Sequence, residues 1–142
     1  MSDSKESHKP DARTALLNAA KKVFASKGYD GTTVKDLADE AGLNVSLVSY
    51  HFGGKEGLYR SCLTGFAEAR IEAMERLLKA PETSEELKLR LRLFAEEMTD
   101  VHIKDPDICT IVHRDIEYSS PIAVEIFRGV FFRLFLVLVG FL

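Results

Sequence analysis

The segment Ala41–Tyr59 constrains this chain more than any other. Gly42 on one side and the pair Gly53-Gly54 on the other bracket a run, Val45 to Phe52, that is too short to be a stable helix on its own. A helix of that size persists only if neighbours hold one of its faces. Val48 and Phe52, at i and i+4, form the expected inward pair, and Asn44 stands where a helix cap belongs. Val45, Ser46, Leu47, Ser49 and Tyr50 then fall on the opposite face. A longer helix starts at Gly54 or Lys55. The layout is a short helix held from beneath, with its outer side presented to something else.

The remaining segments read as helices too. Leu16, Leu17, Ala20, Val23 and Phe24 recur at helical spacing in a helix from about Asp11 to Lys27, with Gly28 as its stop and Tyr29 folding back onto the core. Thr33 and Asp36 have the spacing of a capping box, which predicts a second helix to about Glu40 with Val34, Leu37, Ala38 and Ala41 inward. The long helix from Lys55 to about Lys79 carries Leu58, Cys62, Phe66, Ile71, Met74 and Leu78. Pro81 breaks it. A fifth helix from Ser84 places Leu87, Leu91, Phe94 and Met98 on one face, Asp107 to about Glu117 forms a sixth, and Pro121 opens the last. That last helix is apolar nearly all round from Val130 onward and must be covered, by further helices or by a second subunit. Its apolar run is interrupted by Arg133 and is too short for a membrane span. The sequence reads as stopping within this helix, without a cap or a polar ending, so the body is expected to be incomplete.

Composition limits the function classes. The net charge is −3, so nucleic-acid binding cannot rest on bulk charge and needs individually placed cations. Residues 1–60 hold 9 Lys/Arg against 8 Asp/Glu, and residues 61–142 hold 10 against 14, which makes the first part the less acidic. Cys62 and Cys109 are too few for a disulfide framework and read as reduced, buried thiols. Residues 1–10 are polar, carry no signal-peptide pattern, and read as a flexible tail whose Lys5 and Lys9 could reach a minor groove. The expected location is cytoplasmic, associated with the nucleoid.

In a helix-turn-helix the first helix lies across the sugar-phosphate backbone and the second enters the major groove. Here the pair would be 33–40 and 45–51. Thr33, Lys35, Tyr50, His51 and Lys55 are the candidate phosphate contacts. Val45, Ser46, Leu47 and Ser49 are the candidate groove contacts, the hydroxyls for base edges or phosphates and the apolar side chains for thymine methyls. No Arg or Gln stands on this face, which leaves much of the specificity to apolar contact and DNA shape.

These spacings resemble the DNA-binding head of the tetracycline-repressor (TetR) family. The matching stretches are Phe24-Ala25-Ser26-Lys27-Gly28-Tyr29, Thr32 to Ala38, Ala41-Gly42-Leu43-Asn44, and Ser49-Tyr50-His51-Phe52-Gly53-Gly54-Lys55-Glu56-Gly57-Leu58. Three positions depart from the family pattern. Ser49 replaces a phosphate-binding Tyr, Gly54 replaces a helix-capping Ser or Asn, and Ser46 replaces a Gly. The resemblance implies an all-α protein: a three-helix head at 11–58 joined by the long fourth helix to a helical ligand-binding and dimerisation body at 59–142. It further implies a double-stranded palindromic operator, a homodimer, and repression relieved by a small, apolar effector of unknown identity, with no cofactor and no membrane. Phe94, Met98, Cys109, Tyr118 and Phe127 are the candidate pocket residues, with Leu91, Ile108 and Val112 beside them; all serve equally well as core.

Two other functions compete. One is an architectural or cell-cycle DNA-binding factor with the same head, whose body binds a protein. The other is a helical enzyme using Cys62, His102, His113, Asp115 or Glu117, with His113 and Glu117 one helical turn apart as two metal ligands. Two ligands do not define a metal site, and no nucleophile has a readable base and orienting partner. No catalytic or metal residue is therefore assigned.

Overall fold

The computed structural model describes residues 9–141, which form seven α-helices. The expected tail at 1–8, with Lys5, and the terminal Leu142 lie outside the described residues; Lys9 and Pro10 are exposed. Helix α1 (Ala12–Lys27) begins where the Asp11 carboxylate accepts from the Thr14 N–H at 2.8 Å, and it ends at Gly28, whose φ of +74° suits glycine. Helix α2 (Val34–Ala41) starts with the full capping box: the Thr33 side chain accepts from the Asp36 N–H, and the Asp36 carboxylate accepts from the Thr33 N–H. Gly42 ends it in the left-handed conformation. Then follow α3 (Ser46–Phe52), α4 (Lys55–Leu77), α5 (Ser84–Lys104), α6 (Pro106–Glu117) and α7 (Pro121–Phe141).

Boundaries move by one or two residues from the sequence reading. Helix α4 stops at Leu77 rather than Lys79, ahead of Pro81, which disfavours helical dihedrals in the residue before it. Val45 already has helical dihedrals, but regular hydrogen bonding starts at Ser46. Pro106 itself opens α6, where its missing N–H costs nothing.

One core joins the first four helices to α6 and α7. Leu16, Ala20 and Phe24 from α1, Leu37 from α2, Val48 from α3, Leu58, Tyr59 and Leu63 from α4, and Ile108 and Ile111 from α6 are buried together. Tyr29 folds back as expected, stacking on Phe24 with ring centroids 6.0 Å apart and tilting against Tyr59 at 4.8 Å. The seam between head and body is sealed by a buried hydrogen bond from the Tyr59 hydroxyl to the Asp115 carboxylate. Arg114 beside it donates to the Phe24 carbonyl at 2.5 Å and the Ala25 carbonyl at 3.1 Å. Helix α4 runs unbroken across the boundary expected at 58/59.

The body is thinner. Helix α5 buries no residue, so its expected inward face is only partly realised: Leu87, Phe94 and Met98 are half-buried, and Leu91 is exposed. Helix α7 exposes Phe131, Phe132, Phe135, Leu136, Leu138 and Val139. Among the described residues no helix is long and apolar enough to cross a membrane.

Candidate nucleic-acid interface

Helix α3 is placed by its two turns. Asn44 Oδ1 accepts from the Ser46 N–H at 2.9 Å, so Asn44 caps the helix as its position predicted. The first turn is tight, with Leu47 N–H to Asn44 O at 3.1 Å and Val48 N–H to Val45 O at 3.2 Å, an i to i+3 pattern. Gly53 closes the helix in the left-handed conformation, its N–H on the Ser49 carbonyl. The turn into α4 is narrow: a Cβ on Gly57 would lie 1.8 Å from the Phe52 carbonyl oxygen. Gly57 is therefore what lets α4 pass so close behind α3.

The inward pair is Val48, fully buried, and Phe52, half-buried against the same core. The Arg13 guanidinium sits 5.0 Å from the centre of the Phe52 ring and adds an exposed cation beside the end of α3 that the sequence reading missed. On the outer face Val45, Ser46, Ser49 and Tyr50 are exposed, Tyr50 at 80%. His51 is half-exposed and meets Tyr50 edge-on at 4.9 Å. Leu47 differs from its expected role as a purely outward side chain. It is half-buried and packs on the core, because the tight first turn rotates it toward Val48.

The cations divide into two kinds. Lys35 is exposed on α2 and pairs with Asp39 at 2.5 Å, one turn away on the same surface; that carboxylate raises its pKa. An exposed pair of this kind opens at little cost. Thr33 is also exposed, although its hydroxyl is engaged in the cap. Asp36 is held down to about 2, first by the Thr33 N–H and then by Lys27 and the Thr33 hydroxyl. Lys55, expected as a phosphate contact, is engaged within the protein. Its ammonium donates to the Tyr29 carbonyl at 3.0 Å and the Thr32 carbonyl at 3.1 Å, and lies 4.2 Å from the centre of the Tyr29 ring. It pins the α1–α2 turn to the start of α4. No side chain caps α4, whose N-cap is Gly54, so its first-turn N–H groups are left without a side-chain acceptor.

The expected pocket residues do not converge. Tyr118 is 74% exposed at the end of α6, because the turn into α7 swings it outward. Phe94 packs on a separate small cluster of Met74, Leu78 and Phe141. Cys109 and Phe127 are buried in the main core, and Met98 is half-buried on α5. His113 and Glu117 are exposed, and His113 lies 5.4 Å from His102, ring centre to ring centre. Among the described residues, no three His, Cys, Asp or Glu side chains gather as a metal-binding group.

Comparison with known proteins fits this geometry. The family model for bacterial regulatory proteins of the tetR family matches residues 16–62, the stretch from α1 into α4. The HTH-type transcriptional repressor AcnR of Corynebacterium efficiens is 30% identical over 99 residues, covering 63% of this chain and 53% of the relative. The HTH-type transcriptional regulator TtgR of Pseudomonas putida is 27% identical over 117 residues, 78% of this chain and 53% of the relative. The chain thus spans about half the length of these curated relatives. The crystal structure of HlyIIR, a hemolysin II transcriptional regulator, superposes with a TM-score of 0.60 at 26% identity, over 91% of this chain and 72% of that one. The crystal structure of a protein of Pseudomonas aeruginosa PAO1 reaches a TM-score of 0.70 at 20% identity, over 91% of this chain and 62% of that one, which shows the fold. With the capping box, the Asn44 cap and the glycine turns all in their expected places, residues 16–62 of this chain match the helix-turn-helix head of the tetR family.

Proposed function

We propose that α3 enters the DNA major groove and that the chain acts as a transcriptional repressor, binding a palindromic operator as a homodimer in the cytoplasm, on the nucleoid. The observation that carries this reading is the division of α3 into a buried side, Val48 and Phe52, and an outer side on which Val45, Ser46, Ser49 and Tyr50 stand free. Those four are the proposed groove and backbone contacts, and Leu47 contributes its outer edge. Lys35, Thr33, Tyr50, His51 and the N–H groups at the start of α4 hold the phosphates on either side. Arg13 joins them from α1.

A dimer of such heads reads two half-sites about 34–36 Å apart, one helical turn of DNA. A small change in head spacing then costs much affinity, which is how a small effector bound to the body releases the operator. The names of the relatives favour regulation over an architectural role, since AcnR is a transcriptional repressor. Selecting duplexes from a random pool with this protein, then titrating the winner by fluorescence anisotropy at several salt concentrations, tests the proposal. An inverted repeat and affinity falling steeply with salt are expected, because phosphate contacts release counterions. Binding without salt dependence or sequence preference would overturn it. Chromatin occupancy separates the architectural alternative: few sites beside particular genes fit a repressor, and many dispersed sites fit the alternative.

A further inference from the structure

A cleft of about 400 Å³ lies at the junction of head and body, between α1, α4 and the C-terminal half of α5. That is within the range of small-molecule sites. Its apolar lining comes from Leu17, Cys62, Phe66, Val101 and Ile108. None of the five expected pocket residues is among its walls.

Three cations line the cleft, and their states differ. Lys21 pairs with Asp105 at 2.6 Å and Lys104 with Asp100 at 2.7 Å, both within hydrogen-bonding reach. Arg70 lies 5.8 Å from the centre of the Phe66 ring, and its Nη1 is 3.2 Å from Glu97 Oε1. That approach is misaligned. Nε and Nη1 of Arg70 are sealed from solvent and hydrogen-bond to nothing. Buried donors on a charged group are costly to leave unmatched, and an acceptor placed there recovers the loss. Gly65 on α4 borders the same space, and a Cβ there would meet no atom within 4 Å.

We propose that this cleft binds a small amphipathic carboxylate, its apolar chain on Leu17, Phe66 and Ile108 and its carboxylate on the Arg70 guanidinium, whose side chain turns its buried Nε–Nη1 edge away from Glu97 and into the cleft to receive it. The carboxylate supplies the acceptor that Glu97 approaches but does not align, and the two ion-paired lysines form the rim. Because Leu17 and Lys21 belong to α1 of the head and Val101 and Lys104 to α5 of the body, the bound molecule bridges the two. The binding stands on the cleft alone. Its effect on an operator rests on the DNA-binding reading above.

The test is a calorimetric titration of the full chain with decanoate, and with decanol as its uncharged counterpart, both below micelle-forming concentrations. Decanoate is expected to saturate at one per chain. Arg70→Met should weaken decanoate at least tenfold and leave decanol unchanged. Gly65→Leu should fill the space and remove both, and circular dichroism confirms that each variant keeps its helix content. If Gly65→Leu misfolds, the Arg70→Met contrast decides. Three results overturn the proposal: no saturable decanoate binding by the wild type, wild-type decanoate affinity in Arg70→Met, or equal losses of decanoate and decanol in Arg70→Met. A chain that binds decanoate but no duplex would sink the DNA-binding reading and leave the cleft intact.

Discussion

Lys55 separates a residue that touches DNA from one that shapes the surface touching it. Its ammonium has two carbonyl partners, Tyr29 O at 3.0 Å and Thr32 O at 3.1 Å, and the Tyr29 ring at 4.2 Å. A hydrogen bond from a charged donor contributes roughly 1.5–3 kcal/mol when buried. Lys55 is only half-buried and water can replace part of each bond, so the two bonds and the ring contact together are worth about 2 kcal/mol. Lys55→Met keeps the stem and removes the charge. It should lower the melting temperature by about 8 °C for a chain of this size. The DNA assay reads a different quantity. Each phosphate contact adds about 0.9 to the slope of log affinity against log salt. Lys55→Met should therefore weaken DNA binding, by loosening the α1–α2 turn, without changing that slope. A variant that melts with the wild type and loses about 0.9 of slope would refute the reasoning and restore Lys55 as a phosphate contact.

Lys35→Ala should behave in the opposite way, with an unchanged melt and a salt slope lower by about 0.9, because its Asp39 pair is exposed and opens readily. Gly57→Ala places a methyl 1.8 Å from the Phe52 carbonyl oxygen and forces α3 and α4 apart; a loss of about 1–3 kcal/mol in denaturant melts and a clear drop in duplex affinity are expected, and a wild-type melt would show that the turn relaxes freely. Tyr59→Phe removes the buried donor to Asp115. Burial raises the Asp115 pKa and the Tyr59 bond opposes that rise, so the variant raises it further. A raised carboxyl pKa means that the folded state holds its proton to higher pH, so stability falls as pH rises through that pKa. The deficit of Tyr59→Phe against wild type should thus be largest near neutral pH and shrink on acidification, read from melts across pH 4–8; a deficit independent of pH would detach Asp115 from the effect.

The head was legible because its signals are local. A capping box needs only Thr33 and Asp36 three residues apart, and Gly42 and Gly53 sit where the chain must turn left-handed. The i, i+4 pair Val48 and Phe52 fixes the buried side of α3 within one turn. The internal partners of Lys55 were not legible because Tyr29 and Thr32 are more than twenty residues away in sequence. Leu47 was misread because a tight first turn rotates side chains away from ideal helical positions. That the expected pocket residues do not converge has a broader reason. Apolar side chains at helical spacing look the same whether they line a space or fill one, and only the packing of α5 and α6 against α1 and α4 decides. Nothing near Arg70 in sequence marks its unpaired nitrogens, which arise from its placement against Phe66 on its own helix and Glu97 on α5.

The same packing determines how the body can act on the head. Along α1 the body holds the C-terminal end firmly, through Arg114 on the Phe24 and Ala25 carbonyls and through Asp115 on Tyr59 just behind. Farther toward its N-terminus, α1 faces the cleft, where Lys21 and Asp105 make the direct polar link across. A rearrangement of the body that broke the first set would strand a buried carboxylate and a phenol without partners, at a cost comparable to a large part of a domain's stability. One that opened or closed the cleft exchanges a half-exposed ion pair and a few apolar contacts, a far smaller change. The head therefore turns most readily about the Arg114 end of α1, with the cleft as the gap that varies. On the proposal of a bound carboxylate, a molecule between Leu17 and Val101 would set the width of that gap, and α3, packed on α4 and α1, would move with it.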